Sequence, residues 1–266
     1  MSRGGLAGDG VPSRAAESMT HRFFVAPDSI RGDAVFFSAA QAHQLRAVLR
    51  MRAGQEILVL DNRGGEYRVA LRNVLPERAH GEIIERRAAR GEPATQIYLY
   101  QALLKAAKLE WVLQKGTEVG IAAFTPIRTA RAVTHGASQQ KFARWMQIVT
   151  EAAEQAGRGK IPRLQTLQAL DAALAVAQTD GGKIFILWEN ETAWDLRRAL
   201  DDAPTQTIHL FVGPEGGWSA SEIEMAQAHG ARSVTLGPRI LRAETAAIVA
   251  ASAIFFARGE MRRATE

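Results

Sequence analysis

The heptapeptide GPEGGWS at residues 213–219 comes directly after the apolar run IHLFV at residues 208–212. An apolar run of this length predicts a buried strand, and three glycines within five residues let the backbone approach a ligand closely. Ser219, with Glu222 three residues later, has the pattern of a capping box and predicts the start of a helix. The stretch is therefore strand, loop and helix, and the loop is either a ligand-binding segment or a plain connection.

Two further predicted strands end in unusual loops. The run KIFILW leads into Glu189 and Asn190, and SVTL leads into GPRILRAET at residues 237–245. In open parallel sheets, ligands bind outside the carboxyl ends of the strands, so three such loops predict one shared pocket. The last loop precedes the run AAIVAASAIFF, which is apolar enough to predict a helix that is buried or packed at a subunit interface.

The rest of the chain divides into three predicted parts. Residues 1–20 have no periodicity and are expected to be a disordered N-terminal extension. Residues 21–92 carry short β-type runs, one helix at 39–49 and an NRGG hairpin turn at 62–65, which favour a small β-barrel. Residues 93–266 alternate apolar strands with amphipathic helices, which predicts an α/β domain with a parallel sheet covered on both faces. Its helices are expected at 108–117, 138–156, 191–200, 219–230 and 243–257.

Composition excludes several kinds of chemistry. The 266 residues contain no cysteine, which rules out disulfides and thiolate catalysis and fits a cytoplasmic protein. The six histidines lack metal-ligand spacing, so no metal is expected. Neither a P-loop nor a dinucleotide fingerprint is present, and no apolar run reaches the roughly 20 residues that span a bilayer.

Positive charge is concentrated in one part of the chain. The formal net charge is +5, and residues 101–163 hold ten Lys and Arg against four Asp and Glu. This distribution indicates either a polyanionic partner such as RNA or a solvated helix face.

The two glycine-containing loops resemble the signature of the SPOUT class of trefoil-knotted methyltransferases. Within that class, three further segments are similar to the family that makes N3-methyluridine in 16S ribosomal RNA: HQLRAVLRM at residues 43–51, KGTEVGI at 115–121 and EAAEQAGR at 151–158. The resemblance covers about residues 19–260. It implies a PUA-like β-barrel RNA-binding domain at 21–92, followed at 93–266 by a SPOUT methyltransferase domain with a deep trefoil knot.

The resemblance also implies a cofactor and partners. The cofactor is S-adenosyl-L-methionine, the substrate is 16S rRNA in the 30S ribosomal subunit, and the enzyme is a homodimer without membrane or metal. The cofactor-binding residues expected from the three loops are Leu187, Trp188, Glu189, Val212, Gly213, Pro214, Glu215, Gly216, Gly217, Leu236, Gly237, Ile240, Leu241, Arg242, Ala243 and Thr245.

The chemistry of uracil suggests catalytic candidates. Loss of the N3 proton leaves negative charge on the ring oxygens, which Arg242, or as a second candidate Arg22, can stabilise. Glu215 or Glu244 can take the proton, and either can instead hold the cofactor or, for Glu244, cap a helix. The RNA-binding candidates, each of which can also be an ordinary exposed charge, are Arg22, Arg46, Arg50, Lys105, Lys108, Lys115, Arg128, Arg131 and Arg158.

Two other functions remain open from the sequence. The first is a related enzyme of the same class that methylates a ribose 2′-OH or tRNA. The second is a non-catalytic RNA-binding factor of ribosome assembly, which would not bind the cofactor.

Overall fold

The computed structural model describes residues 21–105, 107–132, 136, 138–202 and 204–262. The predicted disorder of residues 1–20 lies outside the described residues. The chain forms two compact units: the first comprises the chain up to Asp61 and Gly65–Arg87, and the second comprises Asn62–Gly64 and the chain from Ala88 onward. This division lies close to the boundary predicted at residues 92–93.

The first unit is built on a six-stranded sheet. Its strands are β1 (Arg22–Phe24), β2 (Ile30–Arg31), β3 (Ala34–Phe37), β4 (Glu56–Leu60), β5 (Gly65–Val74) and β6 (Ala79–Ala88). They are ordered β1-β4-β5-β6-β3-β2, with β1 parallel to β4 and the recorded pairs β4–β5, β3–β6 and β2–β3 antiparallel. Alternate side chains such as Val35, Val69 and Leu71 point to one buried cluster, as the period of two requires.

The helix predicted at 39–49 changes its winding halfway. Ser38 and Gln41 form a capping box at the start of α1 (Ala39–His43), and the chain then continues as a π-helical turn over Gln44–Val48. Arg50 follows with φ of 54°, a left-handed conformation that a non-glycine residue seldom adopts. The predicted position of the helix is confirmed. The π-helical turn was not predicted, because the sequence pattern does not distinguish it from α-helix.

The second unit contains a sheet whose recorded pairings are all parallel. Its strands are β7 (Gln96–Ala102), β8 (Ala123–Arg128), β9 (Arg163–Leu164), β10 (Gln168–Ala169), β11 (Lys183–Leu187), β12 (Thr207–Val212) and β13 (Arg232–Val234). The order is β10-β8-β7-β12-β11-β13, with β9 also paired to β8. The predicted parallel sheet is therefore confirmed.

Helices cover both faces of this sheet. They are α2 (Lys108–Val119), α3 (Gln139–Ala156), α4 (Leu170–Asp180), α5 (Leu196–Asp201), α6 (Ala220–Ala228) and α7 (Ala243–Ala257). One buried cluster joins the sheet to residues of α2, α3, α5 and α7, and the other joins it to residues of α4 and α6. Two covered faces explain why the strands are apolar almost throughout.

Two helices of this unit depart from the sequence-based expectation. The helix predicted at 191–200 begins only at Leu196, because the Asp195 side chain caps it by accepting from the Arg198 amide. Helix α4 was not predicted, although its residues Leu170, Ala173, Leu174 and Ala177 are all buried.

Among the described residues, none of the helices is long and apolar enough to cross a bilayer. The same part of the chain contains no group of three or more His, Asp or Glu side chains arranged to hold a metal ion.

Candidate functional site

A cavity of about 850 Å³ lies at the carboxyl ends of β11, β12 and β13. The three loops that follow these strands form most of its wall, as the sequence predicts. The expected cofactor residues that line it are Leu187, Trp188, Glu189, Val212, Gly213, Pro214, Glu215, Gly217, Leu236, Gly237, Ile240, Leu241, Arg242 and Ala243. Gly216 and Thr245 are not part of the lining.

The loop after β12 is tied to its neighbours by side-chain hydrogen bonds. The buried indole of Trp218 donates from Nε1 to the Leu187 carbonyl at 2.8 Å, which joins it to the end of β11. The predicted capping box of Ser219 and Glu222 is present, and the Glu222 carboxylate also accepts from the Ala130 amide at 2.7 Å. These contacts join the loop to the end of β11 and to the segment after β8.

The glycines of this loop have different surroundings. Gly217 has φ of 68°, and a Cβ there would lie 2.6 Å from Glu189 Oε1. A Cβ on Gly216 would instead meet Arg131, whose Nη1 donates to the Gly216 carbonyl at 3.2 Å. The expectation that Gly216 brings backbone close to a ligand is therefore corrected, because this residue faces Arg131 and Gly217 is the glycine that lines the cavity.

Glu191 shapes the loop after β11 and was missed by the sequence analysis. Its carboxylate accepts from the amides of Ala193 and Trp194 and from the hydroxyl of Ser233. Burial opposes ionisation of Glu191, but these hydrogen bonds outweigh it and hold the pKa of its carboxyl below the usual value. A fixed negative charge therefore lies in the cavity wall.

Further residues complete the cavity. The lining residues that the sequence analysis did not single out for the cofactor are Lys108, Glu191, Thr192, Trp218, Val234, Thr235, Pro238, Arg239 and Ala246. Most are neighbours of predicted residues along the chain, whereas Lys108 comes from the start of α2. Its Nζ lies 3.1 Å from Glu215 Oε1 and 3.5 Å from Glu244 Oε1.

Arg242 is the exposed N-cap residue of α7, and its side chain makes no capping hydrogen bond. It lines the cavity, and within the part of the chain that the structure describes no ion pair of its guanidinium is recorded. Glu244 lies in the first turn of the same helix, where the helix dipole favours a carboxylate. The two candidates are thus brought to the same end of α7.

Most of the basic RNA-binding candidates are open to solvent. Arg46 and Arg50 line a cavity of about 520 Å³ in the first unit, together with Arg52 and Arg72. Arg22, also in the first unit, has its Nε 4.0 Å from Glu66 Oε2. In the second unit, Lys105 and Arg128 are exposed, and Lys115 is paired with Glu118 at 2.8 Å.

Arg158 corrects one of these expectations. It is only 2% exposed, and its guanidinium donates to Glu92 at 2.9 and 3.1 Å and to the Ile121 carbonyl at 2.6 Å. A guanidinium buried in this way joins the segment before β7 to the end of α2, so it is not open to an RNA phosphate. Arg131, bound to the Gly216 carbonyl, also has a contact within the protein.

Comparison with known proteins gives consistent matches over most of the chain. Residues 91–255 match the model of the "RNA methyltransferase domain" family, and residues 37–84 match the "RNA methyltransferase PUA domain". The chain is 36% identical over 242 residues to Ribosomal RNA small subunit methyltransferase E of Synechocystis sp., covering 89% of this chain and 77% of that protein.

Two solved structures are similar to the whole fold. One is a Ribosomal RNA small subunit methyltransferase E from Neisseria gonorrhoeae bound to S-adenosyl methionine, with TM-score 0.80, 31% identity and coverage of 89% of this chain and 97% of that one. The other is a methyltransferase from Legionella pneumophila in complex with the bound cofactor SAM, with TM-score 0.75, 29% identity and coverage of 90% and 98%.

Proposed function

This chain belongs to the family of ribosomal RNA small subunit methyltransferase E, and we propose that it methylates N3 of a uridine in 16S rRNA. The protein is an S-adenosylmethionine-dependent methyltransferase of small-subunit ribosomal RNA, with a PUA-like domain and an α/β methyltransferase domain. The observation that carries the proposal is the cavity formed by the loops after β11, β12 and β13, within the part of the chain that matches the methyltransferase model.

The residues of this cavity fit S-adenosylmethionine. Gly217 leaves open the space beside Glu189 that a side chain would fill, and Leu187, Val212 and Leu241 supply apolar wall. Carboxylates at Glu189 and Glu191 suit a ligand that carries cationic groups, whereas Glu215 is already paired with Lys108. The cofactor supplies a methyl group that its sulfonium has already activated, so the protein must orient the base and manage its charge.

Arg242 is the proposed stabiliser of negative charge on the uracil. Its exposed guanidinium lies in the cavity wall at a helix start, where positive charge gains nothing from the helix dipole. When N3 loses its proton, negative charge spreads to the ring oxygens, and a planar guanidinium can donate two hydrogen bonds there. Arg22 remains the second candidate.

The first unit is the proposed RNA-binding domain. Arg46 and Arg50 line a concave surface whose other charged residues are also arginines, which suits the phosphate backbone. Lys105, Lys115 and Arg128 are the proposed phosphate contacts of the second unit. The assembled 30S subunit in the cytoplasm is the proposed setting of the reaction.

We also propose the trefoil knot and the homodimer. The family resemblance of the loops after β12 and β13 supports the knot. For the homodimer, Val249, Phe256 and Met261 supply exposed apolar surface to a second cavity of about 630 Å³ beside α7, and Phe256 is 74% exposed. Exposed apolar surface of this kind marks interaction sites, and a second copy of the chain would cover it.

Analysis of the methylated nucleoside tests the function. The purified protein is incubated with labelled S-adenosylmethionine and 30S subunits from a strain that lacks the enzyme, and the digested 16S rRNA is examined by mass spectrometry. N3-methyluridine is the expected product. A 2′-O-methyl product, or methylation of tRNA alone, would favour the related enzyme of the same class, and binding of RNA without methyl transfer would favour the assembly factor.

A further inference from the structure

One lysine connects two carboxylates that come from distant parts of the chain. Lys108 at the start of α2 has its Nζ 3.1 Å from Glu215 in the loop after β12 and 3.5 Å from Glu244 in the first turn of α7. Lys108 and Glu215 both line the large cavity, and so does Ala243, the residue before Glu244, whereas Glu244 itself is not part of the lining. A single ammonium therefore joins three elements beside the cavity.

The two carboxylates are not equivalent. Glu215 has the shorter contact with Lys108 and also lies 3.5 Å from the Lys105 amide. Glu244 Oε2 is buried and, within the described part of the protein, has no hydrogen-bond partner. Leaving a buried carboxylate oxygen without a partner costs free energy, so this oxygen is suited to an N–H group that a ligand brings.

The charges of the cluster leave one carboxylate in excess. Burial opposes ionisation of Glu215, yet hydrogen bonds from its own amide, Lys108 and the Lys105 amide hold the pKa of this carboxyl below its usual value. Glu215, held ionised in this way, serves as the counter-ion of Lys108. Glu244 contacts Lys108 only through Oε1, at the longer distance of 3.5 Å, and its Oε2 is the carboxylate oxygen of the cluster that is left for a ligand.

We propose that Lys108 is a positioning residue for methyl transfer, which holds Glu215 as its counter-ion and presents the free oxygen of Glu244 to the N3–H group of the uridine. This inference rests on the function proposed above. The N3–H bond breaks and its proton passes to the Glu244 carboxylate. An N3–CH₃ bond forms, and the electron pair of the broken carbon–sulfur bond stays on the sulfur.

The same contacts argue against a role for Lys108 as a simple RNA-phosphate ligand. Two carboxylates within 3.5 Å already neutralise its ammonium, so a phosphate would have to compete with both of them. Lys115 on the same helix has one exposed carboxylate partner and faces less competition.

Three variants test the inference in the full-length protein. Lys108→Met removes the ammonium, and Lys108→Arg keeps a positive charge with a different shape. Arg144→Met is the control. It removes an ion pair of 2.8 Å between Arg144 of α3 and Glu110, which lies on α2 like Lys108 but outside the cavity. Single-turnover methylation of 30S subunits at saturating labelled cofactor is measured against subunit concentration and pH, with calorimetry for cofactor affinity.

The expected result is a loss in the maximal rate. Lys108→Met should lower it at least about tenfold, which is part of the roughly 10²–10⁴-fold that a positioned acid–base group contributes. The subunit concentration for half-saturation should change less than about twofold, because no phosphate contact is removed. The acid limb of the pH profile should move to higher pH, since the carboxylates lose the cation that favours their ionised forms. Lys108→Arg should recover part of the rate, and Arg144→Met should behave as the wild type.

The other charged groups around the cavity are the same in all variants. They are Glu189, Glu191, Arg239 and Arg242. If Lys108→Met melts far below the wild type, Glu244→Gln replaces it and should show the same loss of rate with retained cofactor affinity.

Full activity of a folded Lys108→Met protein would overturn the inference, as would a higher subunit concentration for half-saturation with an unchanged maximal rate. A wild-type protein that does not methylate uridine N3 would overturn the proposed function and this inference together. An active wild type with an equally active Lys108→Met protein would overturn this inference alone.

Discussion

Trp218 and Leu187, which are 31 positions apart in the chain, are joined by a buried 2.8 Å hydrogen bond from the indole Nε1 to the backbone carbonyl. The bond connects the loop after β12 to the last residue of β11, so two walls of the large cavity form one unit. A substitution within either loop should therefore affect binding through the shape of both.

Cofactor binding should depend on Gly217. Gly217→Val places a β-branched residue at φ of 68° and a Cβ 2.6 Å from Glu189 Oε1. The left-handed conformation costs about 1–2 kcal/mol for a residue other than glycine, and here the added side chain also displaces Glu189 in the cavity wall, so cofactor affinity should fall at least about tenfold. Calorimetry with S-adenosylmethionine measures it. Gly230→Ala is the control, because its φ of 81° imposes the same strain where the space is open and outside the cavity. Equal affinity in a folded Gly217→Val protein would contradict the placement of the cofactor.

Arg242 should matter for rate more than for folding. Arg242→Ala is expected to lower the single-turnover rate about 10²-fold, the scale for loss of one oxyanion donor. Lysine keeps the charge but loses the planar fork, so Arg242→Lys should restore only part of the rate. The melting temperature should change little, since the side chain is exposed and makes no capping bond. The single-turnover rate of 30S methylation and a melting curve are measured for each variant. A near-normal rate in Arg242→Ala would remove Arg242 from the catalytic residues.

RNA binding by the first unit should be electrostatic. The double variant Arg46→Gln with Arg50→Gln should weaken RNA binding and reduce the slope of log K against log salt by roughly 1.5, since two phosphate contacts are lost. Arg86→Gln is the matched control, because Arg86 in the same unit is paired with Asp33 at 2.7 Å. Titration of labelled 16S rRNA fragments at several salt concentrations gives both slopes. Identical slopes for the wild type and the double variant would show that these arginines do not bind phosphate.

The apolar surface beside α7 should hold a dimer together. Phe256→Asp puts a charge on a residue that is 74% exposed in the single chain and should yield monomers. Light scattering over a range of concentrations measures the mass. Val176→Asp is the control, because Val176 on α4 is also exposed, at 51%, but lies away from this surface. A monomeric wild-type protein, or a Phe256→Asp protein that stays dimeric, would contradict the proposed interface.

His209 should make the stability of the protein depend on pH. Burial lowers the pKa of its imidazole, against the opposing effects of the Gly181 carbonyl and Asp180. Nε2 lies 2.8 Å from that carbonyl and Nδ1 lies 3.2 Å from the Tyr100 hydroxyl, which fits a neutral ring that donates from Nε2. A lowered pKa in the folded state means that the unfolded chain binds the proton first, at about pH 6.5. The stability is therefore fully present above that pH and is lost as pH falls toward the folded-state pKa.

Urea unfolding at several pH values tests this dependence. Below about pH 6.5 the free energy of unfolding should fall by up to about 1.4 kcal/mol per pH unit from this one group. His209→Gln should flatten the slope, whereas His43→Gln, at an exposed position, should leave it close to that of the wild type. Parallel slopes for the wild type and His209→Gln would show that another group causes the pH dependence.

Local sequence pattern determined much of the architecture and of the pocket. Helix α7 has the predicted bounds, and the capping box of Ser219 and Glu222 starts α6 as expected. Both features depend on residues within one or two turns of each other. They can therefore be predicted from the periodicity and the spacing of residues in the sequence. The meeting of three loops at one sheet edge also follows from the pattern, because parallel strands place all their carboxyl ends on the same side.

Only the tertiary structure shows which charged side chains are paired within the protein and which can contact a ligand. Nothing near Lys108 in the chain indicates that its ammonium lies between Glu215 and Glu244, and nothing near Arg158 indicates that its guanidinium is buried on Glu92. Arg131 likewise contacts Gly216, which lies 85 positions away. These partners are far apart in sequence and meet only because the sheet and its helices pack together. The charge of a residue is a property of the sequence, but its burial and its partner are properties of the folded chain.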